Sequence, residues 1–224
     1  MQWLSASYTD VGLVRKINED SLLSHEEQRL WAVADGMGGH QAGDYASQHV
    51  VQELQNYQQH QKLGIRMRRL KRILANCNVH LHNKAAAEHA GVIGCTVAVL
   101  SVHGRQLMCS WSGDSRIYRL REGALRQLTR DHTFQALSED RNRVKFPESM
   151  NGETELLTAA IGGEVAMHLD SSWFSLLSED RFLICTDGLY KEIPDAELES
   201  ILNEHRSPDD VVARLTAIYK ERGA

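Results

Sequence analysis

The sequence predicts one domain of the mixed α+β class, and three observations lead to that expectation. The chain of 224 residues is 42% hydrophobic and 25% charged, which is enough for one sizeable core and short for two. Short apolar or alternating runs, several of them separated by glycine turns, predict strands over 30–34, 92–102, 106–111, 116–120 and 182–186. Segments with the apolar spacing of helices lie between and after these runs.

Two helices can be placed from their own residues. Apolar side chains recur near one face of the segment 41–61, at Ala42, Ala46, Val50, Leu54 and Tyr57. Ser207 has the character of an N-cap and is followed by Pro208, which predicts a helix with this proline in its first turn, leading into 211–219. No internal repeat or low-complexity linker divides the chain, so we expect a single domain over 1–224.

The charge distribution bounds the partners. A formal net charge of -5 argues against nucleic acid as the main partner. Basic residues are nevertheless concentrated in one segment, at Lys62, Arg66, Arg68, Arg69, Lys71 and Arg72. Apolar residues between them follow an approximate helical stripe, which favours a solvated helix face over a binding patch. Salt-sensitive binding to an anionic partner would distinguish the two.

The sequence contains no signal for a membrane or for export. No apolar stretch approaches the ~20 residues of a membrane span, and the start of the chain lacks the basic flank and apolar core of a secretory signal. We therefore expect no membrane insertion and a cytoplasmic location. The cysteines, Cys77, Cys95, Cys109 and Cys185, show no paired spacing and are expected to be reduced core residues.

Three apolar strands end in an aspartate beside a glycine. These aspartates are Asp35, Asp114 and Asp187. A single Asp-Gly pair is most often a turn, but three of them at strand ends can bring carboxylate oxygens together for a hard divalent cation. A fourth segment, 10–20, contains an arginine followed by two acids, so a phosphate clamp and metal-binding oxygens can share one loop.

These segments carry a family resemblance. In order, 15–20, 35–40, 113–116 and 186–188 resemble the signature blocks of bacterial PP2C-type metal-dependent protein serine/threonine phosphatases. The resemblance spans nearly the whole chain and implies a four-layer α-β-β-α sandwich of two antiparallel sheets flanked by helices. Residues 1–3 and 39–44 also resemble phosphatases that accompany type VI secretion kinases.

The chain departs from the family pattern in two places. The family closes with an Arg-Asp-Asn segment whose aspartate is a metal ligand, and this segment does not occur before Ala224. Either the chain is a piece of a longer protein or this form lacks one carboxylate. Residues 133–155 occupy the position of the family's flap segment but are polar, charged and unlike its usual pattern.

The resemblance implies a site for two divalent cations, Mn2+ or Mg2+, and roles for particular residues. Asp35 would bridge the ions, the Gly36 carbonyl and Asp187 would each complete one ion, and Asp20 would position metal-bound waters. Asp114 matches a position that helps to bind a third, weakly held metal. Its alternative role is a turn aspartate that caps Ser115 and Arg116. Glu19 is expected next to the ligands rather than among them.

Two residues are expected to act on the substrate. Arg15 would hold the phosphate in bidentate fashion, with an ordinary surface arginine as the alternative. His40 would donate a proton to the departing alkoxide, or else only hydrogen-bond the turn.

The expected function is hydrolysis of phosphoserine and phosphothreonine on proteins through a metal-activated water, opposing a bacterial Ser/Thr kinase. The expected partners are a phosphorylated protein substrate and its cognate kinase. One rival is a non-catalytic phosphoprotein-binding regulatory module of the same fold, since the closing ligand is missing. The other is a metal-dependent hydrolase of small phosphate esters.

Overall fold

The computed structural model describes residues 3–13, 15–38, 41–139 and 156–222. Its helices and strands are, in chain order, β1 (Asp20–His25), β2 (Leu30–Met37), α1 (Gln41–Gln55), α2 (Leu63–Ala87), β3 (Gly94–Cys95), β4 (Val97–His103), β5 (Gln106–Ser112), β6 (Arg116–Arg121), β7 (Ala124–Gln127), α3 (Phe134–Glu139), β8 (Asp170–Ser175), β9 (Arg181–Cys185), α4 (Asp187–Tyr190), α5 (Asp195–Glu204) and α6 (Pro208–Arg222). None of the helices in these ranges is long and apolar enough to cross a membrane.

The strands form two antiparallel sheets. The larger sheet has the order β1-β2-β4-β5-β8, with β3 paired to the end of β2, and the smaller has the order β7-β6-β9. Each sheet carries apolar side chains on the face that packs against the other sheet. Strands in which apolar residues alternate with polar ones, or are continuous, must bury at least one face.

Three apolar cores separate four layers. The first core packs α1 and α2 against the larger sheet and includes Val50, Leu74 and Val99. The second lies between the sheets, and the third packs the smaller sheet against α5 and α6. The α-β-β-α sandwich implied by the family resemblance is confirmed.

Several predicted boundaries were wrong for identifiable reasons. The run 92–102 is divided into β3 and β4 at Thr96, whose Oγ1 accepts from the Asp35 N-H at 3.2 Å while its own N-H donates to the Asp35 carbonyl at 2.8 Å. The helix expected over 41–61 ends at Gln55, although Tyr57 beyond it is buried. The C-terminal helix has Pro208 in its first turn, as predicted, but it continues past 219 to Arg222.

Three strands were not predicted. The burial pattern of β1 is mostly intermediate, and β7 and β8 expose alternate residues, so none of them has the continuous apolar run that reveals a buried strand. In the flap-like segment 133–155, α3 is present, and residues 140–155 lie outside the described ranges.

Candidate active site

Strand register brings the first two candidate ligands together. Asp20 opens β1 and lies directly opposite Asp35, near the end of β2. The Gly36 N-H donates to the Glu19 carbonyl at 3.0 Å, which fixes the connection just before β1. Because the sheet behind holds both backbones, the two carboxylates are fixed at one end of the sandwich.

Gly36 is required by a close approach of two backbones. A Cβ at Gly36 would lie 2.0 Å from the carbonyl oxygen of Gly43, in the first turns of α1. Only glycine lets the end of β2 meet α1 this closely. Gly36, whose backbone carbonyl is expected to bind a metal ion, therefore also has a packing role that the sequence did not reveal.

Asp187 reaches the same place from the smaller sheet. It begins α4 directly after β9, and the preceding Thr186 donates from Oγ1 to Asp20 Oδ2 at 2.7 Å. This hydrogen bond joins residues from the two sheets. The Lys191 ammonium lies 3.0 Å from Asp187 Oδ2 and offsets part of the negative charge.

Asp114 follows β5 and is 9% exposed. The Tyr190 hydroxyl, from α4, donates to its Oδ2 at 3.2 Å. Gly113, with φ +106, would place a Cβ 2.6 Å from the Thr96 side chain. The Thr96 hydroxyl in turn accepts from the Asp35 N-H at 3.2 Å and lies 2.6 Å from Ser115 Oγ. Thr96 thus links the loop of Asp114 to the backbone of Asp35.

The four aspartates influence one another electrostatically. Burial, then repulsion from Asp20 and Asp187, raises the pKa of Asp35 to about 9, and Asp114 contributes to the same rise. Burial also raises the pKa of Asp20, against the hydrogen bond from Thr186. For Asp114, burial followed by repulsion from Asp187 raises the pKa to about 6.

Divalent cations fit this donor set. Carboxylates that are buried near one another favour protonation unless positive charge is supplied, and the pKa of Asp35 shows that the surrounding protein groups do not supply enough. Oxygen donors from Asp20, Asp35, Asp114 and Asp187 are the type that Mg2+ and Mn2+ prefer. A cation would remove the repulsion that raises the pKa of Asp35.

The remaining predicted site residues lie at the edge of this acidic site or outside the described ranges. Arg15 has a 74% exposed side chain, with Nη1 3.5 Å from Glu19 Oε2. Glu19 is largely buried beside Gly43 and contributes to the electrostatic rise at Asp20. His40 lies outside the described residues, so its expected contact with the leaving group stays a prediction.

Sequence reasoning missed three residues that organise the site. Thr96, Thr186 and Tyr190 contact Asp35, Asp20 and Asp114 respectively. Thr186 directly precedes Asp187 and Tyr190 follows it by three residues. Proximity in sequence to a predicted ligand was therefore the available signal. Their partners lie in segments distant in sequence and could not be identified from spacing.

A second group of potential ligands adjoins the Asp114 loop. His132, His168 and Asp170 place one ligand atom each within 4.8 Å of one another. His132 Nδ1 accepts from the Gly113 N-H at 3.1 Å, and His132 Nε2 is 3.2 Å from Asp170 Oδ2. An acceptor Nδ1 puts the proton of the neutral ring on Nε2, where it can be donated to Asp170 rather than replaced by a metal. Burial lowers the pKa of His132, consistent with the neutral ring.

Comparison with known proteins identifies relatives of this arrangement. The family model described as "Protein phosphatase 2C" matches residues 2–149. The serine/threonine protein phosphatase PstP of Mycobacterium tuberculosis is 34% identical over 213 residues, covering 91% of this chain and 39% of PstP. The chain thus spans well under half the length of PstP. The serine/threonine phosphatase stp of Listeria welshimeri is 30% identical over 209 residues, covering 89% of this chain and 82% of that protein.

Solved structures agree with the fold. PppA, described as a key regulatory component of T6SS in Pseudomonas aeruginosa, has a TM-score of 0.92 and 37% identity, covering 100% of this chain and 93% of that one. The catalytic domain of PstP, in complex with 2 manganese ions, has a TM-score of 0.82 and 30% identity, covering 97% of this chain and 91% of that one. The resemblance predicted from the signature blocks is confirmed.

Proposed function

Because the chain belongs to the protein phosphatase 2C family, we propose that it is a metal-dependent hydrolase of phosphoserine and phosphothreonine in proteins. The observation that carries the proposal is the convergence of wholly or partly buried aspartates from both sheets, with the pKa of Asp35 raised to about 9. Repulsion among these carboxylates does not stabilise the fold, whereas a bound cation would offset it, so the perturbed pKa supports a functional site.

Each aspartate is proposed to have the role that the family resemblance implies. Asp35 is the proposed bridge between two ions, because Asp20, Asp187 and Asp114 all contribute to the rise of its pKa. The Gly36 carbonyl and Asp187 complete one ion each, Asp20 orients bound waters, and Asp114 belongs to a third, weaker position. When bound, such ions supply an activated water and stabilise developing negative charge.

The phosphate is proposed to be held by Arg15. Within the described residues its exposed guanidinium forms an ion pair with Glu19, at 3.5 Å, which is too long for a strong bidentate pair. The fork of the guanidinium can therefore turn toward a phosphate at the edge of the acidic site. His40 is proposed to protonate the departing alkoxide, since histidine transfers protons near neutral pH.

The domain organisation, the location and the partners of the protein are proposed from its similarity to the relatives. We propose one PP2C-like domain over 1–224, with 133–155 as its flap, in a cytoplasmic protein whose substrate is phosphorylated by a Ser/Thr kinase. The similarity to PppA, described as a component of T6SS, supports a place in type VI secretion signalling. The existence of a cognate Ser/Thr kinase that phosphorylates the substrate is part of the proposal.

The decisive experiment measures phosphate release from a phosphothreonine peptide as manganese is added. This chain, a form extended by its natural C-terminus, and Asp35→Asn are compared, with a small aryl phosphate as second substrate. Peptide hydrolysis by the wild type, lost in Asp35→Asn, is the expected result. Activity confined to the extended form would mean that residues beyond 224 complete the centre.

The rival functions give different results. Preference for the aryl phosphate over the peptide would indicate a hydrolase of small esters. Phosphopeptide binding without phosphate release, in both lengths of the protein, would contradict the proposal and indicate the regulatory binding module.

A further inference from the structure

The first half of α2 carries an electrostatically unfavourable group of cations. Basic residues recur along this helix while it contains no acidic residue from Leu63 to Ala87. Arg68 and Arg72 are four residues apart, and Arg68 and Lys71 are three apart, so like charges are neighbours on the helix surface.

The cations of this basic face, defined as Arg68, Lys71 and Arg72, receive no internal compensation. Each is exposed, and the ion pairs found among the described residues involve none of them. Arg69 differs, because its Nη1 donates to the Gln58 carbonyl at 3.1 Å. Arg69 therefore forms contacts within the fold, whereas the side chains of the basic face remain available to an external partner.

Two adjoining grooves lie along the basic face, and the second extends from α2 to β5 of the larger sheet. The first, of about 600 Å³, is lined by the basic face with Ile65, Arg69 and Ala75. The second, of about 220 Å³, is lined by Met67, Leu70, Lys71, Ser110, Leu169 and Ser171. Lys71 lines both. Ser110 precedes the end of β5 by two residues, which is about 7 Å along a strand.

The acidic helix of the other outer layer is not a suitable occupant from a second copy. Its carboxylates are engaged within the chain. Asp195 accepts from Tyr118 at 3.0 Å, Glu197 from Arg222 at 2.8 Å, and Glu199 from the Leu125 N-H at 2.7 Å. An external anion fits the basic face better than a second copy of α5.

We propose that the basic face docks an acidic segment of the phosphoprotein substrate, distant in sequence from the phosphorylated residue; this inference rests on the proposed function. Charge complementarity would come from Asp or Glu side chains lying along α2. From Val102, whose carbonyl accepts from Arg66 at 2.8 Å, to Val97 is about 17 Å along β4. A spacer of at least about six extended residues would therefore separate the acidic segment from the phosphothreonine.

The test compares three phosphothreonine peptides. One has an acidic run about eight residues from the phosphothreonine, one has the same run adjacent to it, and one has Gln in place of the acids. Steady-state kcat and KM are measured with manganese for the wild type, for the triple variant Arg68→Gln/Lys71→Gln/Arg72→Gln, and for a control triple variant, Arg126→Gln/Arg206→Gln/Arg214→Gln. The control makes the same change in net charge at exposed sites outside α2.

The proposal expects the wild type to favour the distal acidic peptide over the neutral one by about tenfold in kcat/KM, mainly through KM. The preference should disappear in the α2 variant and at about 0.5 M salt, and persist in the control variant. Turnover of the neutral peptide should be the same in all three proteins. Equal use of the distal and neutral peptides by the wild type, or loss of the preference in both variants, would overturn the proposal.

A binding measurement separates failure of docking from failure of catalysis. The unphosphorylated distal acidic peptide, labelled with fluorescein, is titrated with each protein and followed by anisotropy. Weaker binding by the α2 variant alone supports docking even if no peptide is hydrolysed, in which case the proposed function fails by itself. Binding of the wild type to phosphatidylserine vesicles but not to the peptide would indicate a membrane surface as occupant and would refute the proposal.

Discussion

The acidic site and the basic face of α2 both concentrate one sign of charge, yet their surroundings differ. At the acidic site the carboxylates are wholly or partly buried, and burial is the largest cause of the pKa of about 9 at Asp35. On α2 the cations are exposed and water solvates them. Concentrated charge therefore costs much more free energy where water is excluded, so a bound ion of opposite charge would stabilise the acidic site more than the basic face.

The two regions also differ in backbone packing. At the acidic site Gly36 lies against Gly43 so closely that no Cβ fits between them. At the start of α2, a Cβ added to Gly64 would meet no heavy atom within 4 Å. The acidic site depends on tertiary contacts, whereas the basic face is a local property of one helix.

The largest expected effect is loss of turnover in Asp35→Asn. Removing the proposed bridging charge should lower kcat/KM by more than about a hundredfold, because the amide cannot hold two cations as the carboxylate does. In the absence of metal the same variant should melt at a temperature equal to or above that of the wild type, since a repelled carboxylate is gone. Phosphate release and thermal melting with a chelator measure the two effects.

The next effect tests the difference in packing. Gly36→Ala should destabilise the fold by several kcal/mol, about 3 or more, because the 2.0 Å approach to the Gly43 carbonyl cannot be relieved by a flexible side chain. Gly64→Ala is the matched control and should be neutral or stabilise by up to about 1 kcal/mol, since alanine favours helix. Urea unfolding of both variants checks this, and equal stability of the two would contradict it.

A third prediction concerns pH in the metal-free protein. The folded pKa of Asp35 lies above its value of about 3.9 in the unfolded chain, so the folded state binds the extra proton between these values. Stability should therefore fall as pH rises from about 5 to 9. Saturating manganese should reverse the trend, because deprotonated ligands bind metal. Melting temperatures across this range, with and without manganese, measure it; a slope unaffected by Asp35→Asn would exclude Asp35 as its source.

The smallest expected effect is on the stability of the basic face. Arg68→Gln/Lys71→Gln/Arg72→Gln should leave the free energy of unfolding unchanged or raise it by about 0.5 kcal/mol, because like-charge neighbours are removed and no ion pair is lost. Urea unfolding at low and high salt checks this. Substantial destabilisation would show that these cations contribute to the fold after all.

The sequence revealed the charged residues of both regions but not the contacts and the burial of those residues in the fold. Asp35, Asp114 and Asp187 were recognisable because each follows an apolar strand and adjoins a glycine, which is a local pattern. Thr96 was not recognisable as a link between two of them, because its hydroxyl contacts depend on the register of β2 and the course of the chain after β5. For α2, helical spacing predicted a helix with a solvated face. Only the structure showed that none of the described ion pairs involves the cations of the basic face.

By itself, the sequence determined the α+β class, the family, and which aspartates are candidates for holding cations, because apolar periodicity and short motifs are properties of consecutive residues. Only the tertiary structure decided that Asp20 faces Asp35, that Thr186 joins the sheets through Asp20, and that burial brings the pKa of Asp35 to about 9. Pairing and exclusion of water arise between segments far apart in the chain, so no local pattern can specify them.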